Sequence, residues 1–273
     1  MKRVKGMNKL ISVLSLLIVL SFLVGCGSAG DGVVVAGSTS VQPYIEILAE
    51  DYAHINPEIE IYVQGGGSAA GITAAENETA DLGMSSRGLK EEEEWLWSLE
   101  IAKDGLAMII HPQNPVSELS LSELQKIYTG QITNWSEVNG PDHRIHVIAR
   151  EEGSGTRSAF ESLVMGDMEI SPKSIVQASN GAVKQLVADD KYSIGFISLG
   201  LIDEKVKTIA LDNIAPTKEN VINGSYTLSR PFLLVAYEEP IGEVKEFVDF
   251  IMSPVGQKIL ADEGLIVQIG ESQ

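Results

Sequence analysis

The 273-residue chain is 44% hydrophobic and 21% charged, ordinary proportions for a folded domain, with a formal charge of −18. So acidic a surface repels phosphodiester backbones, which excludes nucleic acid as an expected partner. A single cysteine excludes an internal disulfide and a cysteine-rich metal site.

Residues 1–25 read as an export signal. Lys2, Arg3, Lys5 and Lys9 form a basic start, and "LISVLSLLIVLSFLV" is an apolar run of 15 residues. That run is shorter than the roughly 20 residues a spanning helix needs. No later segment matches it, so no transmembrane helix is expected in the body. The only cysteine, Cys26, ends "LVGC", which resembles a bacterial lipobox and points to lipidation of Cys26 as the new amino terminus. Residues 26–32 would then be a short flexible tether, and the protein would be exported and lipid-anchored to the outer face of the cell membrane.

The body alternates strands and helices. "GVVVAG" reads as a buried strand, and "STSVQPYIEILAEDYAHI" as a helix with Pro43 in its first turn and Ile45, Leu48, Ala49 and Tyr52 at helical spacing. "EIEIYVQ" alternates as a strand, "GGGSAAG" breaks it, "ITAAEN" resumes a helix, and "ADLGMSS" is a short strand and turn. "KEEEEWLWSLE" reads as an acidic helix, and "GLAMIIHP" as a strand closed by Pro112. The next helix carries Leu121, Leu124, Ile127 and Tyr128 on one face. "RIHVIA" is a strand, "TRSAFESLVM" and "NGAVKQLVAD" are helices, and "SIGFIS" and "RPFLLVAY" are strands. "EVKEFVDFIM" and "PVGQKILADEG" close the chain as helices. This order predicts an α/β architecture with largely parallel sheets.

Three times a strand runs through Gly and Ser/Thr residues into a helix: "VVVAGSTS", "IYVQGGGSAAG" and "VIAREEGSGT", with "LGMSSR" a weaker fourth. A helix start carries about half a positive charge and unpaired N–H groups. One such turn is explained by ordinary capping; several aimed at one cleft would hold an anion.

Other chemistries fit less well. Ser154 lies in "EEGSGTR", which lacks the Gly-x-Ser-x-Gly elbow, and no histidine is tied to it by a motif. The phosphate loop of nucleotide-binding proteins is absent, and "GGGSAA" matches the dinucleotide fingerprint only loosely. His143 and His146 would point to opposite faces of a strand, so neither a metal nor a cofactor is expected.

Together "GSTSVQP", "VQGGGSAAG", "ADLGMSSR", "REEGSGTR", "YSIGFIS" and "YTLSRPF" resemble, in order, the motifs of phosphate-binding proteins of ABC-type importers. The resemblance runs from about Val33 to the end of the chain. It implies a two-lobed periplasmic-binding-protein fold of type II with the ligand in the cleft between lobes. Lobe 1 would comprise 33–110 plus 231–273 and lobe 2 would comprise 111–230, with crossings near "IIHP" and "SRPF". It also implies a non-enzymatic protein that delivers inorganic phosphate to permease subunits driven by a cytoplasmic ATPase. Thr39, Ser40, Ser68, Ser86, Arg150, Ser154, Gly155 and Thr156 match its ligand positions, with Arg150 as the charged partner and Arg157 structural. Some members carry aspartate where this chain has Ser86; that aspartate accepts the proton of hydrogen phosphate, so Ser86 keeps sulfate or molybdate open as alternatives. Arg87 would supply a second charge or bridge to the acidic surface. Asp81, Glu151 and Glu152 are the nearby carboxylates left to place. A phosphate-ester hydrolase built on Ser154 is the remaining alternative.

Overall fold

The computed structural model describes residues 32–267. The export signal, Cys26 and residues 268–273 lie outside them. Among the described residues no helix is long and apolar enough to cross a membrane.

The first strand, β1 (Val33–Gly37), buries alternate residues and pairs in parallel with β2 (Ile61–Gly65) and β3 (Leu82–Ser85). Helix α1 (Gln42–Ile55) connects β1 to β2, with Pro43 in its first turn, where a missing N–H costs nothing. Its Tyr44, Ile45, Leu48 and Tyr52 are buried, at the spacing that puts them on one face. Helix α2 (Ser68–Glu76) connects β2 to β3. All three strands therefore end, and both helices begin, on the same side of the sheet.

The expected acidic helix over "KEEEEWLWSLE" does not form. Only Glu91–Glu93 make a 3-10 turn, and the chain is extended from Trp97 as β4 (Trp97–Ile110). The reason lies in the apolar spacing. Trp97, Leu99 and Ile101 recur every second residue and pack into one core, a strand period rather than a helical one. Strand β11 (Ser229–Ala236) pairs with β4 along its length, antiparallel, with Arg230 directly opposite Asp104.

These two strands join the halves of the molecule. The main sheet runs β2-β1-β3-β11-β4-β8-β6-β7, with β6 (His146–Arg150), β7 (Ile175–Gln177) and β8 (Ser193–Ser198) on the far side; the short β9 (Lys207–Thr208) also pairs with β4, and β5 (Glu118–Leu119) and β10 (Ala210–Leu211) pair apart from it. It is mixed rather than largely parallel: β11 is antiparallel to β3 and β4, and β4 to β8. The β6 pairings with β7 and β8 are parallel. Strand alternation with helices hides this, because long strands that cross between cores carry no helical crossover of their own.

Two large cores flank the crossing. One gathers Val35, Ile45, Leu48, Leu82, Ile101, Phe232 and Phe247. The other gathers Leu106, Met108, Ile110, Leu124, Tyr128, Trp135, Phe160 and Phe196. In the second, Phe160 and Phe196 stack at 4.2 Å and Tyr128 tilts onto both, aromatic contacts that add to area burial. Helix α3 (Leu121–Thr129) covers this core with Leu124, Ile127 and Tyr128 and starts at a reciprocal Ser120–Glu123 cap. Helix α4 (Gly155–Phe160) passes into a π-helical turn at Glu161–Met165, and α5 (Asn180–Asp189) precedes β8.

Candidate anion-binding site

The turns at the strand ends converge where the two halves meet. The Ser40 and Thr156 hydroxyls lie 2.8 Å apart, one at the start of α1 and the other in α4. Ser68, the first residue of α2, accepts from the Ser86 N–H at 3.0 Å, and the two side chains are 3.3 Å apart. The Ala69 N–H donates across the interface to the Gly153 carbonyl at 3.1 Å. Thr39 is half-buried; Ser40, Ser68, Ser86, Arg150, Ser154, Gly155 and Thr156 are all buried. All eight residues expected from the sequence thus form one connected cluster.

Two glycines make the approach possible. Gly67 has φ +89, a conformation a side chain resists, and its position lies 3.0 Å from the Gly153 carbonyl if a Cβ is added. A Cβ on Gly155 would collide with the Ser68 hydroxyl and stand 2.6 Å from Ser86 Oγ. The small residues in "EEGSGTR" therefore serve contact between the halves as well as helix capping. Ser154 is itself the cap of α4, accepting from the Arg157 N–H at 3.2 Å.

Arg150, at the end of β6, is buried in this cluster. It donates to both carboxylate oxygens of Glu151 at 2.9 and 2.8 Å, to Thr39 Oγ1 at 3.2 Å, and to the Gln177 and Ala178 carbonyls. Its Nη1 is buried with no protein partner, a costly state for a charged donor unless an acceptor meets it.

The other charged neighbours separate cleanly. Arg87 turns outward to Glu93, with contacts of 2.6 and 2.7 Å; it bridges to the acidic surface rather than adding a second cation. Its guanidinium holds the Glu93 carboxyl below the usual carboxylate range, against the upward push of burial. Asp81 accepts from the Val34 N–H at the start of β3, the end away from the cluster. Glu152 is exposed. Arg157 pairs with Glu161 and donates to the Arg150 carbonyl, holding the loop in place. Ser86 is faced by hydroxyls: Ser38 donates to it at 2.9 Å and Ser68 lies on its other side.

Sequence reasoning missed five members of the cluster: Ser38, Asp104, Asn180, Ser198 and Arg230. Asn180 donates to Ser40 Oγ at 2.8 Å and accepts from the Ser198 N–H. Arg230 donates to Ser40 Oγ at 3.1 Å and to Asp104 Oδ2 through Nε at 3.1 Å and Nη2 at 3.0 Å. Ser198 donates to Asp104 Oδ1 at 2.8 Å. Burial pushes the Asp104 carboxyl up, while Arg230 and the Ser198 hydroxyl hold it back. One signal was visible: "IAKDGLAMII" sets a carboxylate in an apolar strand, and "LSRPFLLVA" sets a cation in another. Charges so placed are rarely buried unless paired.

Chemically, the cluster offers hydroxyls, helix-start N–H groups and two guanidiniums. Among the described residues no group of three metal-ligating side chains occurs. His146 pairs with Asp190 and His143 stacks on Tyr192, so neither serves Ser154 as a base. Donors of this kind, converging from two halves, define an oxyanion-binding protein.

The comparisons agree with that class and narrow it. A PBP superfamily domain model matches residues 25–255. A phosphate-binding protein PstS of Bacillus subtilis is 30% identical over 95% of this chain and 94% of its own. A Borreliella burgdorferi protein of the same name is 29% identical over 94% and 98%. Among solved structures, a Clostridium perfringens ABC-transporter substrate-binding protein crystallised with bound phosphate is 44% identical. It superposes with TM-score 0.84 over 87% of this chain and 99% of its own. An ABC-type phosphate transport receptor of Vibrio cholerae, 41% identical with TM-score 0.72, covers 86% and 99%. The chain belongs to the PBP superfamily and, within it, to the phosphate-binding protein (PstS) family.

Proposed function

We propose that the protein captures inorganic phosphate between its two lobes and hands it to an ABC permease, without catalysing a reaction. The observation that carries this is Arg150, a buried guanidinium with an unpartnered Nη1 set among hydroxyls and helix starts from both halves. A dehydrated anion there gains charge-assisted hydrogen bonds about twice as strong as neutral ones. Local donors can therefore outweigh the acidic surface, whose field salt screens beyond about 8–10 Å. Thr39, Ser40, Ser68, Ser86, Ser154, Gly155 and Thr156 complete the proposed ligand set. Isothermal calorimetry tests the reading. Phosphate should bind more tightly than sulfate or molybdate; no phosphate heat, or tighter sulfate binding, would overturn it.

The lobes we propose are 33–104 plus 230 onward, and 105–229. This moves the first crossing from His111 to Asp104. Ile101 and Ala102 pack in one core and Leu106, Met108 and Ile110 in the other, which supports that division. Lipid anchoring through Cys26, export to the outer face of the cell membrane, and the permease with its ATPase belong to the same proposal and rest on the sequence.

A further inference from the structure

We propose that Arg230, braced by Asp104 where the strands cross between lobes, is a second cationic ligand of the bound oxyanion. The inference rests on the oxyanion reading of the cluster and extends it to a residue outside the helix-start turns.

Three observations carry it. Arg230 is 3% exposed, and its Nη1, like that of Arg150, is buried with no protein partner. The two guanidiniums grip adjacent residues, Arg150 through Thr39 Oγ1 at 3.2 Å and Arg230 through Ser40 Oγ at 3.1 Å. Each also has its own carboxylate, Glu151 for Arg150 and Asp104 for Arg230. Those carboxylates occupy Nε and Nη2 of each fork and leave both Nη1 groups free.

Two buried guanidiniums near one another repel, and the paired carboxylates offset their charge without satisfying the remaining donors. An anion accepting from both Nη1 groups removes the two orphans and the repulsion together. Asp104 then has a defined part. It lies opposite Arg230 in the β4–β11 register and also accepts from Ser198 of β8. It aims the fork as a positioning residue and does not touch the ligand.

A strut that only holds the crossing together would behave differently, and paired substitutions separate the two. Phosphate calorimetry on the wild type, Arg230→Gln, Asp104→Asn and the Asp104→Asn/Arg230→Gln double variant gives the test. The double variant keeps the buried pair neutral should Arg230→Gln fail to fold alone. Loss of a buried charged partner predicts at least ~30-fold weaker phosphate binding in Arg230→Gln or the double variant. Asp104→Asn keeps the cation but weakens the brace that aims it, so phosphate affinity should fall by clearly less than in Arg230→Gln. Affinity within threefold of wild type without Arg230 overturns the proposal, as does equal weakening in Asp104→Asn and Arg230→Gln. A wild-type protein that binds no phosphate would instead overturn the function proposed above.

Discussion

Gly155→Ala probes whether contact between the halves governs affinity. The added Cβ would collide with Ser68 Oγ and lie 2.9 Å from Ser68 Cβ and 2.6 Å from Ser86 Oγ, inside the 3.0 Å that real Cβ contacts respect. Ser68 and Ser86 are buried and short, so neither can swing clear. Relief requires the halves to part by a few tenths of an ångström. Overpacking of this kind costs about 1–3 kcal/mol. At 1.4 kcal/mol per tenfold, phosphate affinity should fall about 5- to 150-fold. Gly155 has no positive φ and begins a helix, so alanine strains no backbone and is intrinsically the better helix former, by up to about 1 kcal/mol. Only the closed arrangement is penalised, because an opened pair of halves escapes the collision. Calorimetry with phosphate, beside thermal melting without it, reads both effects. Weaker binding with an undiminished ligand-free melting temperature is expected. Wild-type affinity, or a ligand-free destabilisation as large as the loss in binding energy, would refute the reasoning.

Two other outcomes follow, one from a contact and one from the sequence. The Arg87 guanidinium depresses the Glu93 carboxyl, so the folded protein binds that proton less readily than the unfolded chain. The resulting stability is present above the usual carboxylate pKa and is lost as pH falls through the depressed folded value. Glu93→Gln should therefore cost about 1 kcal/mol at neutral pH and progressively less in acid; a cost independent of pH in denaturant melts would contradict this. Cys26→Ala should release the protein from the membrane fraction on cell fractionation, and retention at wild-type levels would count against a lipid anchor.

Most of the α/β framework was legible because its helices and strands obey different periods. Leu121, Leu124, Ile127 and Tyr128 repeat at helical spacing and form α3; Val33 and Val35 alternate and form β1. The misread segment fails instructively. "KEEEEWLWSLE" is rich in helix formers, but Glu91–Glu94 is a solvated turn, and the deciding residues are Trp97, Leu99 and Ile101 beyond it. Tertiary packing of an alternating face overrode local propensity. The helix-start half of the site was equally readable, since Thr39, Ser40, Ser68 and Ser154–Thr156 sit in local strand–turn–helix units whose geometry the sequence carries.

The other half of the site is not local, and that explains why it was missed. Arg230 and Asp104 are 126 residues apart, and Arg230 and Ser40 are 190 apart. No window of sequence contains the pair, and only the antiparallel β4–β11 register places them face to face. Each looked like a stray charge within its own strand. A strand interior nevertheless buries a charge only when another element supplies the counter-charge. Two apolar strands that bury charges of opposite sign, Asp104 beside the exposed Lys103 in one and Arg230 in the other, are therefore expected to be neighbours. Applied to "IAKDGLAMII" and "LSRPFLLVA", that argument yields the β4–β11 pairing and, through it, the crossing between lobes. Selectivity has a local component as well: Ser86 meets the hydroxyls of Ser38 and Ser68, so in the proposed site a hydroxyl, which can donate as well as accept, stands where a carboxylate would accept the proton of hydrogen phosphate and repel sulfate.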